Sequence, residues 1–416
     1  MKRFYWPIMA LTTVLLLAAC GNTAGTSDET RKDKETEGHA LLREMASPEG
    51  ILPTPKPTNT QLDRLREQGV RLAGDLFDHC DVADENMVFA PLSAYMTLET
   101  LAAIGGEEEK NLFRQQMGEE MRFTDYDADV RALRGILKDV STLRYHANLI
   151  ASDEFSLNQT AMTELMAPGG PTCYQADFSD IKVAENNINA LVKEQTNGLV
   201  EEVFQDTLKP ETYLVLLDNL FFASDWSKPF RAAGDQSFHG TKGTVQIPFM
   251  ARTALSEYAA DEKGVYLGLG YEDDAMQMVI YMPADGDLTR ALKEEIFRHP
   301  KTTYMEVHLD MPIFRVENKL DFKQYMAKSA FAPYLETFHC TLVDPPRTDF
   351  VGNIFQVAVM DVNEKGTRAA SSTVATVEKT AAPMDPVQVT LDKPFAYALF
   401  YGRLPLYVGV FRHPTP

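Results

Sequence analysis

The spacing of apolar residues predicts two helices at the start of the folded part of the chain. Leucine, alanine and phenylalanine recur at helical spacing from Leu62 to Phe77, which places them on one face of a helix. A second apolar segment, Tyr95–Ile104, ends at Gly105–Gly106, and glycine commonly terminates helices. Helical spacing dominates as far as about Phe204.

Beyond that point, short apolar runs of the kind that form buried or half-buried strands take over. They lie at 213–217, 276–283, 305–309 and 393–400. Helices come first and strands later, without regular βαβ alternation and without an internal repeat. This order predicts an α+β fold.

One segment near the C-terminus matches neither pattern. An acidic bend marked by Gly366 runs from Asn363 into alanine, serine and threonine up to Thr376. Such a run is most often a flexible linker, but a linker should be followed by a separate domain. Only a short stretch rich in Phe, Tyr, Val and Leu follows, and that stretch is predicted to form core strands. We therefore expect an exposed segment within one domain that can become a strand.

Composition and charge exclude one class of function. The chain has 416 residues, 44% hydrophobic and 24% charged, which is an ordinary globular composition. Its formal net charge is -20. A nucleic-acid surface needs clustered Lys and Arg, so no nucleic-acid partner is expected. The acidic balance favours solubility and basic partners.

The N-terminus predicts a secreted lipoprotein. A positively charged start precedes the apolar run Ile8–Ala18, which is too short to span a bilayer because a spanning helix takes about 20 residues. The run ends in Leu-Ala-Ala followed by Cys20, which resembles the bacterial lipobox. The resemblance implies that 1–19 is a signal peptide cleaved after Ala19 and that Cys20 is lipidated. A plain secretory signal is the alternative.

The lipid and the polar segment behind it predict an anchored domain on a tether. Two or more acyl chains would hold the protein stably in a membrane. We expect the bacterial cell envelope, at the outer membrane or cell surface, since Gly21 rather than Asp follows Cys20. Residues 20–60 are polar, charged and interrupted by prolines, so they predict a disordered tether. The folded domain is then 61–416.

The sequence carries no motif for catalysis or metal binding. It has no Gly-x-Ser-x-Gly elbow, no His-Glu-x-x-His pair and no phosphate-binding glycine loop. None of its eight histidines pairs with another at i,i+4, so neither a metal nor a cofactor is expected. Cys80, Cys173 and Cys340 are far apart and odd in number, which predicts free thiols with at most one bridge. We expect a protein that is not an enzyme.

Five stretches, taken in order, are similar to the serpin family of serine protease inhibitors. Each match is weak alone, but their order and spacing across 61–416 make the set specific. They are Asn86–Ser93; Asn187–Val192 with Thr196–Val200; Leu216–Phe222 with Trp226; Asn363–Thr367; and Lys393–Phe395 with Gly402–Arg403.

The resemblance implies the serpin fold, with a large central mixed β-sheet, two smaller sheets, eight or nine helices and an exposed reactive loop at about 364–390. It also implies suicide inhibition of extracellular serine proteases and, as in some members, cysteine proteases. The protease cleaves the loop, and the loop then inserts into the central sheet as a new strand. The expected partners are these proteases and, through the lipid, a membrane. We expect a monomer.

By this resemblance the hinge of the loop comprises Glu364, Gly366, Thr367, Ala369, Ala370 and Ser371. An inserting strand presents alternate side chains to a buried face. With Thr367 inward, that face carries only small or β-branched side chains, whereas Arg368 and Glu378 fall on the outer face. No proline precedes Pro383 in the loop, which favours inhibition over the alternative, a non-inhibitory serpin with a binding or structural role.

The family spacing also predicts where a protease would cut. Counting from Gly366 places the scissile bond at Thr380–Ala381, which suits elastase- or subtilisin-like proteases. Lys379–Thr380 is the second choice and suits trypsin-like proteases, whose specificity pocket holds an acidic residue. Counting back from Lys393 moves the site towards Pro383. Several overlapping cut sites could therefore give broad specificity.

The residues expected to control opening of the central sheet are Ala90, Ser93, Asn219, Trp226 and Gln356. Ala90 stands where the family usually has Ser, and Gln356 stands where a His is common. Glutamine still donates and accepts hydrogen bonds, but it does not titrate. Arg368 replaces the usual Glu on the outer face of the loop. None of these departures forbids insertion.

Overall fold

The computed structural model describes residues 42–46, 56–80, 84–117, 122–298, 302–352, 354–367 and 386–414. All of them belong to one unit, Glu37–Pro416. Eight α-helices lie among these residues: α1 Asn59–Cys80, α2 Pro91–Ile104, α3 Glu107–Met117, α4 Phe123–Asp139, α5 Gln159–Leu165, α6 Ile181–Gln195, α7 Leu288–Lys293 and α8 Lys323–Ala327. Of the helices in this part of the chain, none has both the length and the apolar composition that crossing a bilayer needs.

The same residues contain nineteen strands. The first ten are β1 Leu42–Glu44, β2 Met87–Phe89, β3 Leu143–Ser152, β4 Thr172–Ala176, β5 Leu214–Phe222, β6 Ser224–Asp225, β7 Arg231–Gly240, β8 Gly243–Asp261, β9 Gly264–Gly270 and β10 Met276–Pro283. The others are β11 Thr303–Pro312, β12 Phe314–Asp321, β13 Phe338–Cys340, β14 Arg347–Asp349, β15 Phe355–Val362, β16 Gly366–Thr367, β17 Val387–Thr390, β18 Phe395–Tyr401 and β19 Leu404–Phe411.

Helix α2 lies at the centre of the core, with α1, β5 and β19 packed around it. It is buried on every side along nearly its whole length. Pro91 suits its first turn, because the N–H that proline lacks has no intrahelical partner there in any helix. Helix α1 instead buries one stripe, from Leu65 to Phe77, and its other face is polar. The periodicity of the sequence thus predicted both helices, although α2 begins at Pro91 and not at Tyr95.

The strands form one large mixed sheet and several smaller ones. The large sheet has nine strands in the order β17-β11-β8-β9-β10-β18-β19-β2, with β7 added on β8, and only β11 and β17 pair in parallel. Two four-stranded sheets have the orders β1-β4-β3-β5 and β12-β15-β16-β6, and β13 pairs with β14. The α+β class, the mixed sheets and the eight helices agree with the sequence prediction. The nine-stranded sheet does not contain Leu216–Phe222, which was predicted to lie in the central sheet: this segment belongs to β5, at the edge of a four-stranded sheet.

The two four-stranded sheets meet where β5 lies beside β15, and helix α6 covers this junction. A hydrophobic cluster joins Ile188 and Val192 of α6 to Val215 of β5 and Val359 of β15. The chain after α6 is fastened to the helix, because the Glu185 carboxylate accepts hydrogen bonds from three successive backbone N–H groups at 206–208. Helix α6 therefore packs against both four-stranded sheets on the same side.

Parts of the predicted tether are structured, which corrects the expectation that 20–60 is disordered throughout: β1 lies within it, and α1 begins at Asn59. Strand β1 pairs antiparallel with the edge strand β4, in the register Leu42↔Ala176. Leu42 packs against the cluster under α6, and the Met45 N–H donates to the Cys173 carbonyl at 2.9 Å. The charge and proline content of the region concealed this short strand, whose partner is far away in sequence.

A buried charge cluster ties β5 to the helices beneath it. The Arg134 guanidinium, 2% exposed, donates to the Thr100 hydroxyl at 2.5 Å and to the Tyr145 hydroxyl at 3.1 Å. It also lies 3.8 Å from the Asp218 carboxylate of β5 and 4.0 Å from that of Glu99. Burial raises the pKa of Glu99 to about 8, although Arg134 acts in the opposite direction. Arg134 is therefore the cation beside two desolvated carboxyl groups, those of Asp218 and Glu99.

Removing this cation should cost more stability than removing an exposed one. Arg134→Met leaves Asp218 buried without a counter-ion, and we expect the free energy of unfolding in urea to fall by about 3–5 kcal/mol. Arg122→Met, which breaks an exposed pair with Asp125 at the start of the same helix, is the control and should leave the urea midpoint unchanged. Equal losses in the two variants would contradict a structural role for the cluster.

Candidate functional site

The hinge segment turns back from β15 and forms the two-residue strand β16. Thr367 pairs with Val362 of β15 on one side and with Ser224 of β6 on the other, and Gly366 pairs with Asp225. A side chain at Gly366 has no space, since a Cβ there would lie 2.1 Å from the Ser224 carbonyl oxygen. The close approach of two backbones therefore requires glycine at this position.

Trp226 holds the bend that precedes β16. Its indole N–H donates to the Asn363 carbonyl at 2.9 Å, and its backbone N–H donates to the Lys365 carbonyl at 2.8 Å. The backbone N–H of Phe230 donates to the carbonyl of Glu364 at 2.8 Å. The carbonyls of three successive hinge residues thus bind one short stretch of chain.

Thr367 points into the protein and is 3% exposed. Its hydroxyl lies 2.6 Å from the Tyr271 hydroxyl, and the Tyr271 ring stacks on Trp226 with 4.4 Å between centroids. Burial raises the pKa of Tyr271, so its hydroxyl keeps its proton. The first inward residue of the hinge is therefore hydrogen-bonded inside the protein before any further strand is added.

Beyond β16, the facing edges of β5 and β15 are open. In the described part of the chain, β5 pairs only with β3, and β15 pairs only with β12 and β16. A cavity of about 260 Å³ lies at this junction, lined by Leu214–Leu217 of β5, by Phe204 and by Val351 and Ile354 just before β15. A strand continuing from β16 would find unpaired backbone groups on both sides.

Two departures from the family pattern, Ala90 and Gln356, lie in direct contact. The Gln356 side-chain amide donates to the Ala90 carbonyl at 2.8 Å, and its oxygen accepts from the Ala90 N–H at 2.8 Å. Gln356 is 5% exposed. One amide thus binds both backbone groups of the residue that precedes α2, and the Ala90 carbonyl also accepts the first helical hydrogen bond from the Ala94 N–H at 3.0 Å. Ser93 is buried one turn further along the same helix.

Asn219 lies elsewhere, on the α6 side of β5. Its amide donates to the Gln195 side-chain oxygen at 2.7 Å. Gln195 and Asn148 exchange a pair of hydrogen bonds at 3.0 and 3.1 Å. The five residues predicted to control sheet opening therefore occupy three places: the hinge, the start of α2 with β15, and the contact between α6 and β5.

Sequence reasoning missed several residues of this site. Tyr271, the hydrogen-bond partner of Thr367, carries no motif, and Gln195 and Asn148 are ordinary polar residues in sequence. Conversely, several predicted residues lie outside the described residues: Cys20, Ala369, Ala370, Ser371, Lys379, Thr380 and Ala381. Within the described ranges, no three His, Cys, Asp or Glu side chains come together in a way that could hold a metal ion.

The fold and the hinge define a class of protein in which a short strand, here β16, lies at one end of a gap between the edges of two sheets. Comparison with known proteins places this chain in a family with that architecture. Residues 67–414 match the profile described as Serpin (serine protease inhibitor). The chain therefore belongs to the serpin family, whose members target proteases.

Individual relatives agree with this assignment. Plasminogen activator inhibitor 1 of Neovison vison is 28% identical over 344 residues, covering 76% of this chain and 84% of the relative. Alaserpin of Manduca sexta is 25% identical over 373 residues, covering 83% and 93%. The structure of a thyroxine-binding globulin complex with thyroxine superposes with a TM-score of 0.74 at 20% identity, covering 86% of this chain and 100% of that one. The last comparison concerns the fold alone.

The amide of Gln356 should be essential for the junction between α2 and β15. Gln356→Leu has a similar size but leaves the Ala90 N–H buried and unpaired, while the Ala90 carbonyl keeps its helical hydrogen bond from the Ala94 N–H, so we expect the free energy of unfolding to fall by about 1–3 kcal/mol. Gln388→Leu on the exposed face of β17 is the matched control and should not change the urea midpoint. A wild-type midpoint in Gln356→Leu would show that water or a rearranged neighbour replaces the amide.

Proposed function

We propose that this chain is a covalent, loop-inserting inhibitor of extracellular serine proteases. The observation that carries the proposal is β16, which lies between β15 and β6 with Thr367 buried while the edges of β5 and β15 stay open beyond it. Membership of a family described as serine protease inhibitors supports it. So does the small, uncharged inner face that the sequence predicts for the loop.

The protease supplies the nucleophile that cleaves the loop, and the inhibitor supplies the free energy that traps the protease. The protease serine Oγ attacks the carbonyl carbon of the scissile bond, the C–N bond breaks, and the nitrogen leaves as a new N-terminal amine. The N-terminal half of the loop stays bound to the serine as an ester. It then continues from β16 into the gap between β15 and β5 and carries the protease with it, before water can hydrolyse the ester.

The new strand supplies a large free energy. About a dozen ladder hydrogen bonds at ~1 kcal/mol each give a total on the order of 10 kcal/mol. That is comparable to the stability of a whole domain and enough to distort the active site of a protease. The hydrophobic contacts of α6 with both sheets must adjust for the strand to pass, so the helix moves during insertion.

The scissile bond that we propose is Thr380–Ala381, with Lys379–Thr380 as the second choice. A small β-branched residue fits elastase- and subtilisin-like pockets, whereas lysine fits an acidic trypsin-like pocket. Adjacent cleavage sites of both kinds support a broad inhibitor of serine proteases, and the family resemblance extends the proposal to some cysteine proteases. If both sites are used, two classes of protease will release peptides that differ by one residue.

Stable complex formation is the direct test of the inhibitory function. The full chain is mixed with an elastase-like and a trypsin-like protease, and a complex that survives denaturing electrophoresis is expected with at least one. Mass spectrometry of the released C-terminal peptide then gives the scissile bond. If a broad protease panel yields only cleaved chain and free protease, inhibition is excluded and a non-inhibitory role remains.

A charge at the first inward position of the hinge should turn the inhibitor into a substrate. Thr367→Arg would force a cation into the buried site beside Tyr271, which is strongly unfavourable, so insertion slows while cleavage continues. We expect the number of inhibitor molecules consumed per inactivated protease to rise at least about tenfold. Lys365→Arg, at an exposed hinge position, is the control and should keep the wild-type ratio. An unchanged ratio in Thr367→Arg would reject the insertion register.

We also propose that the protein is anchored in a bacterial cell envelope through a lipid on Cys20. The support is the lipobox-like sequence before this cysteine. Cells that express the full chain and are fed labelled palmitate should yield a labelled membrane-bound protein, and Cys20→Ser should abolish the label. Release of unlabelled wild-type protein into the medium would favour a plain secretory signal.

A further inference from the structure

The buried charge cluster under β5 contains more carboxyl groups than cations. Three carboxyl groups and two guanidinium groups lie close together, and they belong to Glu99, Asp127, Asp218, Arg131 and Arg134. Glu99 comes from α2, Asp218 comes from β5, and the other three residues come from α4. Because an unpaired charge is costly inside a protein, only two of the three carboxyl groups can ionise without a large penalty. We call these five residues the β5 charge cluster.

Two of the carboxyl groups have the partners that an ionised carboxylate needs. Asp218 lies 3.8 Å from the Arg134 guanidinium and accepts a hydrogen bond from the Thr97 hydroxyl at 3.1 Å. Burial raises the pKa of Asp218, but Arg134 and Thr97 act in the opposite direction. Asp127 accepts a hydrogen bond from Arg131 at 2.6 Å, and its side chain is 29% exposed. Asp218 and Asp127 are therefore the two carboxyl groups that carry a charge.

Glu99 lacks such partners. Its Oε2 lies 4.0 Å from the Arg134 guanidinium, which is too far for a hydrogen bond, and its Oε1 is buried with no donor among the described residues. The carboxyl groups of Glu99 and Asp127 instead make a hydrogen bond with each other. An ionised carboxylate can only accept, so this bond requires a proton on one of the two groups. Glu99, which has no other partner for a charge, is the group that holds it.

The electrostatic surroundings of Glu99 agree with this assignment. Burial raises the pKa of Glu99 to about 8, and the charge of Asp127 acts in the same direction. The two guanidinium groups act against them. Tyr145 of β3, whose hydroxyl also faces the cluster, stays neutral because burial raises its pKa. Near neutral pH the β5 charge cluster therefore has two positive and two negative charges, and above about pH 8 it gains one more negative charge.

The cluster connects the helices to a strand that borders the gap. Arg134 of α4 donates to the Thr100 hydroxyl of α2 at 2.5 Å, and it also contacts Asp218 of β5. Gln356 fixes β15 to the start of α2. Widening the gap between β15 and β5 therefore moves β5 over the helices and breaks the contact between Arg134 and Asp218. An ionised Glu99 would compete with Asp218 for the same guanidinium and so weaken that contact.

We propose that the proton on Glu99 keeps β5 fastened to α2 and α4, and that its loss at alkaline pH releases β5 and speeds insertion of the uncleaved loop. The proton passes from Glu99 to Asp127, whose partly exposed carboxyl group transfers it to water. Insertion of an uncleaved loop inactivates the inhibitor, so the pH of the medium sets the lifetime of the active form. The effect on insertion rests on the proposed inhibitory function, whereas the effect of the proton on stability does not.

Urea unfolding of the full chain at a series of pH values tests the proton. The native chain binds this proton more tightly than the unfolded chain does, because folding raises the pKa of Glu99. The stability that the proton contributes is therefore complete below the ordinary pKa of glutamate and is lost as the pH rises to about 8. Glu99→Gln keeps the size and the donor of the protonated side chain. Between about pH 6 and pH 9, the unfolding constant should rise about thirty- to a hundredfold more in the wild-type chain than in this variant.

Two further variants make this comparison specific. Glu108→Gln removes an exposed carboxylate on α3, and its pH profile should match that of the wild-type chain. Asp127→Asn replaces the neighbouring charge by an amide that can donate to an ionised Glu99, so the loss of stability should be complete at a lower pH. If the wild-type profile runs parallel to that of Glu99→Gln, or if Asp127→Asn leaves the wild-type profile unchanged, the proposal is overturned.

The lifetime of the inhibitor tests the release of β5. The full chain is incubated at about pH 6 or pH 9, and the inhibitory capacity that remains is then measured at one common pH against the protease with which it forms a stable complex. The wild-type chain should lose activity about tenfold faster at the higher pH, because Glu99 is ionised there. Glu99→Gln should lose activity at similar rates at the two pH values.

The outcomes separate this inference from the function on which it rests. A pH-dependent unfolding constant together with a pH-independent lifetime would overturn the release of β5 and leave the cluster with a role in stability alone. A wild-type chain that forms no stable complex with any protease would overturn the proposed function and, with it, the effect on insertion. The urea series would still decide whether Glu99 holds the proton.

Discussion

The open edges of β5 and β15 are the constraint on which the rest of this structure depends. Two sheets that could join edge to edge stay apart along most of their length, and only β16 bridges one end. Unpaired strand edges are unfavourable and invite another strand. The fold therefore has to keep the edges apart without blocking them, and the contacts of the hinge, of α2 and of α6 can all be understood as serving that purpose.

Different kinds of interaction act on the two sides of the gap. Under the sheet, Arg134 and its carboxylate partners fix β5 to the helices, and Gln356 fixes β15 to the start of α2. On the opposite side, α6 covers both strands with hydrophobic contacts, and its Gln195 also accepts a hydrogen bond from Asn219 of β5. Directional polar bonds therefore hold β5 on both sides, whereas the apolar contacts between α6 and β15 can slide at a lower cost. This division keeps the native arrangement specific while it allows the gap to widen.

The sequence predicted the parts of the fold that depend on local periodicity. Helix α2 and strand β10 follow from continuous apolar runs, and the hinge follows from its glycine and small residues. Pairings between distant segments could not be predicted in the same way. The strand at Leu42 has no local pattern, and Tyr271 becomes part of the hinge only because β9 ends beside Trp226. The Ala90–Gln356 pair looked like two separate departures from the family, and only the structure shows that the two residues are in contact.

That contact also determines how the junction responds to its surroundings. A histidine at position 356 would gain a proton as the medium turns acidic, and its hydrogen bonds to the chain would change with it. A glutamine amide keeps both its donor and its acceptor at any pH that a protein outside the cell meets. The bond between α2 and β15 is therefore insensitive to acidity. A protein with glutamine at this position can keep the junction in the same state through changes in pH that would loosen a titrating one.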